Sequence, residues 1–400
     1  MNRFTPIQGI PNRQNPSVNR VAYDNTHIIM NRIIFLLCTT ITITVATMAQ
    51  TETPDSLTPQ NHLDDFNFAL HELETSYAGF ETCVTDANRQ QYDSIVSSLR
   101  VQIETQNRPG YDAALYLYSW FDDGHLGIDL GSYRETGKYM SDRQKFHPYE
   151  MIKPYSPEPT AKPVTSKTFL MRLPDFDEET VSVEWIENAI RNFNTSTCEN
   201  LIIDVRYNGG GDERIWHPLL PLIYDHPGTT KSVEFRMSDN NIDFLRQAAP
   251  VFPEAQMILD KYNRSHEPYI LLTDKEDIEI EVPPYAGKKP LKVAFIIDAN
   301  NGSATEELLI QAKAISNRTS IYGKENTSGC LDYSSVRETT ALPHSKYPIF
   351  IPTARSCRLP DNGIDKTGIA PDFTIPIDYP QSLTDNLDEW TIWVAGKLEK

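Results

Sequence analysis

The sequence predicts an α/β protein in which a helical N-terminal segment precedes a layered core of strands and helices. Three observations carry this. Apolar residues recur at helical spacing between Leu63 and Phe121. From Phe169 onward, short β-branched apolar runs alternate with helical stretches, the pattern of strands covered by helices. Two of those runs end in glycine turns, Asn208-Gly209-Gly210-Gly211 and Asn300-Asn301-Gly302.

Taken in order, Phe66, Leu70, Leu73 and Tyr77 mark a first helix, Tyr92–Ile103 a second and Tyr111–Phe121 a third, each with the period of one buried face. Asn107-Arg108-Pro109-Gly110 is the turn between the last two. Residues 132–167 are rich in Tyr, Pro and Lys and read as a linker or active-site loop region. Beyond them, strands are expected at Phe169–Leu173, Leu201–Val205, Val233–Phe235, Tyr269–Leu272, Val293–Ile297 and Ile349–Ile351. Helices are expected at Val181–Phe193, Trp216–Tyr224, Ile242–Leu259, Ala304–Ile315 and Leu383–Leu398. This divides the 400 residues into an upstream segment with a signal peptide (1–49), a helical subdomain (50–131) that opens on a polar tether (50–62), the loop region (132–167) and a core domain (168–400).

The signal is read from Met30-Asn31-Arg32, the apolar run Ile33 to Val45, and small residues at Thr47-Met48-Ala49, with Gln50 as the new N-terminus. The residues before Met30 are expected to reflect a start codon assigned too early. The apolar run is short for a membrane span. Cys38 follows Leu37 rather than a small residue, which disfavours lipidation. The protein is therefore expected to be exported, to the periplasm or beyond, with no stable membrane insertion after cleavage. Cys83, Cys198, Cys330 and Cys357 remain after maturation; an oxidising compartment permits disulfides among them, and their pairing is not readable. No Cys-x-x-Cys pair points to zinc. With 39% hydrophobic residues a core is assured, and the net charge of −18 argues against nucleic acid or anionic membrane as a partner.

Four segments carry chemistry. The strand Leu201–Val205 runs into Arg206-Tyr207-Asn208-Gly209-Gly210-Gly211, whose backbone amides are suited to holding an anion; an ordinary glycine turn would look the same. No Gly-Lys-Ser/Thr follows, so it is not a phosphate loop. Ser303 heads a helix after Asn300-Asn301-Gly302, where the helix dipole stabilises a developing oxyanion and the Ala304 amide can donate to it. Ser303-x-x-Glu306 is equally a capping box. His125, after Asp122-Asp123-Gly124, lies on a turn, where it can accept a proton from a hydroxyl or simply face solvent. Finally, Asn362–Asp372 is a polar loop ending Gly368-Ile369-Ala370-Pro371-Asp372.

In their order along the chain, these segments resemble the serine peptidases of the C-terminal-processing (tail-specific) and tricorn-like type. Asp204-x-Arg206-x-Asn208-Gly209-Gly210, Ser303-Ala304-x-Glu306, Gly368-Ile369-x-Pro371-Asp372 and Asp123-Gly124-His125 each match a segment of that family. The resemblance spans about residues 63 to 377 and implies a crotonase/Clp-protease-like catalytic core. It implies Ser303 as nucleophile, with Gly209, Gly210 and Ala304 around the oxyanion, Glu306 in the nucleophile motif, a peptide or protein substrate, and no cofactor or metal. The processing branch carries a catalytic Lys where this chain reads Gly323-Lys324-Glu325-Asn326-Thr327-Ser328-Gly329-Cys330, without a Lys at that place. The tricorn-like branch uses a His, which points to His125 as base, and a distal carboxylate, which points to Asp365, with Asp361 close by. Residues 132–167 are too short for the PDZ module of the processing branch and lack its glycine-rich loop, so the chain is expected to be without one. Two other readings share these features: a peptide-binding homologue without catalysis, favoured by the missing Lys, and an enolate-stabilising thioester enzyme, disfavoured by the export signal. Oligomeric state is not readable.

Overall fold

The computed structural model describes residues 57–130, 134–136, 157–380 and 382–400. The expected signal segment, Cys38 and the middle of the 132–167 region lie outside the described residues. Helices run over Pro59–Ser76 (α1), Phe80–Cys83 (α2), Arg89–Gln106 (α3), Gly110–Tyr118 (α4), Val183–Thr195 (α5), Glu213–Trp216 (α6), Leu219–Ile223 (α7), Asp239–Ala248 (α8), Pro253–Ser265 (α9), Ala304–Ile315 (α10) and Glu389–Leu398 (α11). Strands are Gly127–Asp129 (β1), Arg134–Thr136 (β2), Thr160–Pro163 (β3), Thr168–Arg172 (β4), Asn200–Asp204 (β5), Thr229–Lys231 (β6), Val233–Arg236 (β7), Tyr269–Leu271 (β8), Asp277–Glu279 (β9), Val293–Ile296 (β10), Thr319–Gly323 (β11), Tyr333–Ala341 (β12), Pro348–Ser356 (β13) and Phe373–Thr374 (β14).

One sheet has the order β14-β11-β10-β5-β4-β3, parallel except for β3, which runs antiparallel to β4. Its central strands are apolar throughout because both faces are covered. Alternate residues sort to opposite sides: Leu201, Ile203, Val293 and Phe295 pack with α5, α6, α7 and α10, whereas Ile202, Ala294 and Ile296 pack with Trp390 and Val394 of α11. Beneath the carboxyl ends of these strands, Asp204 and Asp388 pair with Arg172 and Arg206, all buried, and the Arg206 guanidinium lies 5.1 Å from the Trp390 ring centre. A second sheet has the order β2-β1-β13-β7-β8, with β12 also on β13.

The N-terminal helices do not close on themselves. Phe66, Leu73, Tyr92, Leu99 and Tyr118 share one core with Leu126 and Ile128 around β1, Tyr333 of β12, and Ile349 and Ile351 of β13. In β1, Gly127 pairs with Phe350 of β13. The helical subdomain is thus built onto strands from the C-terminal half of the chain.

Several elements differ from the sequence-based expectation. The first helix begins at Pro59, capped by the Thr58 hydroxyl, so the expected polar tether at 50–62 is already helical at its end. Trp216–Tyr224 forms two short helices because Pro218 interrupts it, and Ile242–Leu259 is broken between Ala248 and Pro253, where Pro250 and Pro253 interrupt the amide ladder. The last helix starts at Glu389, capped by Asp388. The loop region contributes two strands, β2 and β3. Among the described residues, no disulfide joins Cys83, Cys198, Cys330 and Cys357 to one another.

Candidate active site

Strands β5 and β10 are parallel neighbours, with Asp204 beside Ile296 in register. The turns leaving their carboxyl ends are therefore side by side, the usual location of a site in such a sheet. Side-chain amides bind the two turns together. Asn301 donates to the carbonyls of Val205 and Asn208. Asp298 accepts the Tyr207 amide at 3.1 Å and the Asn300 amide at 2.9 Å. The Asn208 carboxamide oxygen accepts the Thr305 hydroxyl at 2.7 Å and the Gly210 amide at 2.9 Å.

Gly210 has φ +117°, and a Cβ on it would stand 2.7 Å from the Ser303 Cβ and 3.1 Å from the Ala304 nitrogen. Only a residue without a side chain lets the glycine loop approach the head of α10 this closely. Ser303 itself has φ +53° and ψ −124°. An ordinary N-cap serine sits in the extended region; this one occupies a region disfavoured for any residue with a Cβ, the kind of strain that persists at functional sites.

Glu306, fully buried one turn into α10, explains how that strain is held. One carboxylate oxygen accepts the Ser303 amide at 3.2 Å and the Cys330 amide at 2.8 Å. The other accepts the Gly329 amide at 2.8 Å and the Thr327 hydroxyl. The Ser303 amide also donates to the Cys330 carbonyl at 2.8 Å. Glu306 thereby joins the serine turn to the 327–330 loop.

His125 lies on the bend between α4 and β1, against this same loop. Its amide donates to Asp123 at 2.8 Å. Its Nδ1 is 2.6 Å from the Tyr333 carbonyl and 3.5 Å from Cys330 Sγ. A neutral ring donating from Nδ1 to a carbonyl keeps its lone pair on Nε2, the tautomer a base requires. The imidazole and the serine therefore meet the same residue, Cys330, from two sides.

Asp365, 7% exposed, accepts the amides of Leu331 and Asp332, both at 2.6 Å. Asp332 reciprocates, accepting those of Ile364 at 2.5 Å and Asp365 at 2.9 Å. Burial, then the nearby carboxylates of Asp123 and Asp332, push the Asp365 carboxyl well above its ordinary range. Asp361, the neighbouring alternative, is exposed. Gly368, at φ +64°, leaves no room for a Cβ, which would fall 2.1 Å from the Thr327 carbonyl oxygen. Asp372 accepts the Ile321 amide and the Lys313 ammonium, both at 2.8 Å, and so fixes the loop to β11 and α10. Lys324 is engaged elsewhere, 2.9 Å from Asp378.

The sequence reading did not single out Thr327, Cys330 or Asp332 as site residues. Their neighbours arise from folding, and no spacing along the chain signals them. Asn208 and Asp123 lie inside quoted motifs, and their roles as acceptors for Gly210 and His125 were within reach there.

A strained serine heading a helix, packed on a glycine loop and sharing a neighbour with a histidine, is the arrangement of a serine-type peptidase. The chain belongs to peptidase family S41, whose sequence profile matches residues 167–375. Among solved structures, a candidate peptidase from Parabacteroides merdae ATCC 43184 superposes with a TM-score of 0.58 at 13% identity, covering 86% of this chain and 98% of that one. Mature CPAF gives 0.57 at 13% identity over 86% and 96%, and CPAF complexed with lactacystin gives 0.56 at 12% over 85% and 97%. These likenesses establish a shared fold. No match was found among curated protein sequences. No helix among the described residues is long and apolar enough to cross a membrane.

Proposed function

We propose that the protein is an exported serine peptidase that cleaves peptide bonds through an acyl-enzyme on Ser303, with His125 as general base. The observation that carries this is the backbone of Ser303, held at φ +53° against Gly210. A helix cap alone has no use for such strain. His125 takes the hydroxyl proton through Nε2 as the serine oxygen attacks the carbonyl, then returns it to the leaving amine. Water repeats the sequence to release the acyl group.

The oxyanion faces the Ala304 amide at the first position of α10, which has no partner within its own helix, together with the amides at Gly209 and Gly210. The Gly210 amide is held by Asn208 at 2.9 Å, so it serves the oxyanion by sharing its proton or exchanging that partner. One such donor is worth about 10²–10³ in rate. Glu306 and Asp365 act as positioning residues: the first sets the serine turn, the second fixes the peptide units leading to the Tyr333 carbonyl that orients His125. Substrates are peptides or proteins, and the missing dyad lysine is replaced by the histidine.

Ser303→Ala should abolish both turnover and labelling by a fluorophosphonate while leaving the circular dichroism unchanged. His125→Ala should lose turnover with it, and Lys324→Ala should retain it. A wild-type protein that binds peptides but never takes up the probe would instead be a non-catalytic relative. Export is supported by residues 30–50, and sequencing of the mature N-terminus should begin near Gln50.

A further inference from the structure

Beside Ser303, donor atoms of Asp123, His125 and Cys330 all lie within 4.8 Å of one another. Asp123 is fully buried and the other two are half-buried. Two come from the bend after α4, and the third from the loop that receives the Ser303 amide. We propose that these three side chains form a binding site for a soft divalent cation of the zinc type, and that occupancy switches the peptidase off.

The donor set selects the ion. Thiolate, imidazole and carboxylate together suit zinc and its neighbours, whereas magnesium and calcium favour oxygen alone. Zinc bonds of about 2.0–2.3 Å put tetrahedral ligand atoms roughly 3.5 Å apart. The His125 Nδ1 to Cys330 Sγ separation of 3.5 Å already meets this. Three side-chain ligands leave a fourth position, and the Tyr333 carbonyl oxygen, 2.6 Å from Nδ1, stands near enough to take it. The surroundings also supply carboxylates: Asp332 and Asp365 accept each other's neighbouring backbone amides directly beside Cys330.

Binding has a defined chemical consequence. The cation takes the Nδ1 lone pair, so the ring proton that Nδ1 shares with the Tyr333 carbonyl moves to Nε2. The thiol gives its proton to solvent and ligates as thiolate. With Nε2 protonated, the imidazole can no longer accept the Ser303 proton. The inhibitory half of the proposal rests on His125 as base; the binding half does not.

The test uses the mature protein, freed of metal by a chelator and titrated with cobalt(II) and, separately, zinc(II). One equivalent of cobalt should produce a thiolate charge-transfer band in the near ultraviolet, and zinc should inhibit peptide hydrolysis. Cys330→Ser should remove the band and raise the half-inhibiting zinc concentration by at least the ~10–100-fold that even outer-shell partners contribute. Cys357→Ser, away from the site, should change neither. A wild type without the band, or a band that survives in Cys330→Ser, overturns the site. A normal band without zinc inhibition upholds the site and overturns the switch. Full activity of His125→Ala marks the failure of the base assignment independently of the band.

Discussion

Removal of the Glu306 carboxylate tests the site most directly, because its cost follows from counted hydrogen bonds. In Glu306→Ala, the amides of Ser303, Gly329 and Cys330 and the Thr327 hydroxyl lose an acceptor. Ser303 keeps its bond to the Cys330 carbonyl, and a hydroxyl can rotate toward another acceptor. The Gly329 and Cys330 amides therefore carry the loss. A buried donor left without a partner costs about 1–3 kcal/mol, so the variant should be about 2–6 kcal/mol less stable. Glu306→Gln places an amide nitrogen against one of the two donor pairs. The Thr327 side is the better tolerated, since that hydroxyl can reverse and accept. Only the Gly329 amide is then orphaned, at about 1–3 kcal/mol. Urea unfolding followed by circular dichroism gives both values from the midpoints, and hydrolysis rates should fall in the same order, Ala below Gln. An alanine variant within about 0.5 kcal/mol of wild type, the range of an ordinary surface change, and fully active would refute the reasoning.

Three further outcomes are expected. Gly210→Ala forces a Cβ to 2.7 Å from that of Ser303, and fluorophosphonate labelling should slow by about 10²-fold, the effect of an ångström-scale displacement. Ser303→Gly removes the hydroxyl but releases the backbone strain, so this inactive variant should melt higher than Ser303→Ala by about 1–3 kcal/mol of stability. Burial alone raises the Asp204 carboxyl, but Arg206 and Arg172 more than offset it and leave it at about 2. Its folded value is below the ordinary one, so this stabilisation is complete above about pH 4 and disappears as the pH falls toward 2. It amounts to about 2 kcal/mol. Asp204→Asn should be weaker at neutral pH and show a shallower loss of urea midpoint across that acid window.

Much of the core was legible because its elements bury side chains in simple periods. Val293–Ile297 reads as a strand and forms over Val293–Ile296, and Ala304–Ile315 forms with the expected bounds because Asn-Asn-Gly and an acidic first turn mark its start. Strand β12 was not legible: Ser334, Ser335 and Arg337 are polar yet buried, their environment supplied by β13 and distant helices. Arg337 is paired with Glu72 of α1, a contact without any local signature. The same division runs through the site. Ser303 and Gly210 announce themselves through turn chemistry, whereas the clasp between Asp332 and Asp365 exists only after two remote loops have met.

The packing of the first helices onto β13 sets His125 beside a core assembled from both ends of the chain, whereas Ser303 heads a helix whose apolar face belongs to a separate core. A fragment ending before β3 would lack β12 and β13, leaving Leu73, Tyr92 and Tyr118 without the Tyr333, Ile349 and Ile351 side chains of their shared core. A second mutation that prises β1 from Phe350 would therefore open the core that carries His125 itself, so the position of the imidazole and the folding of its surroundings are lost together.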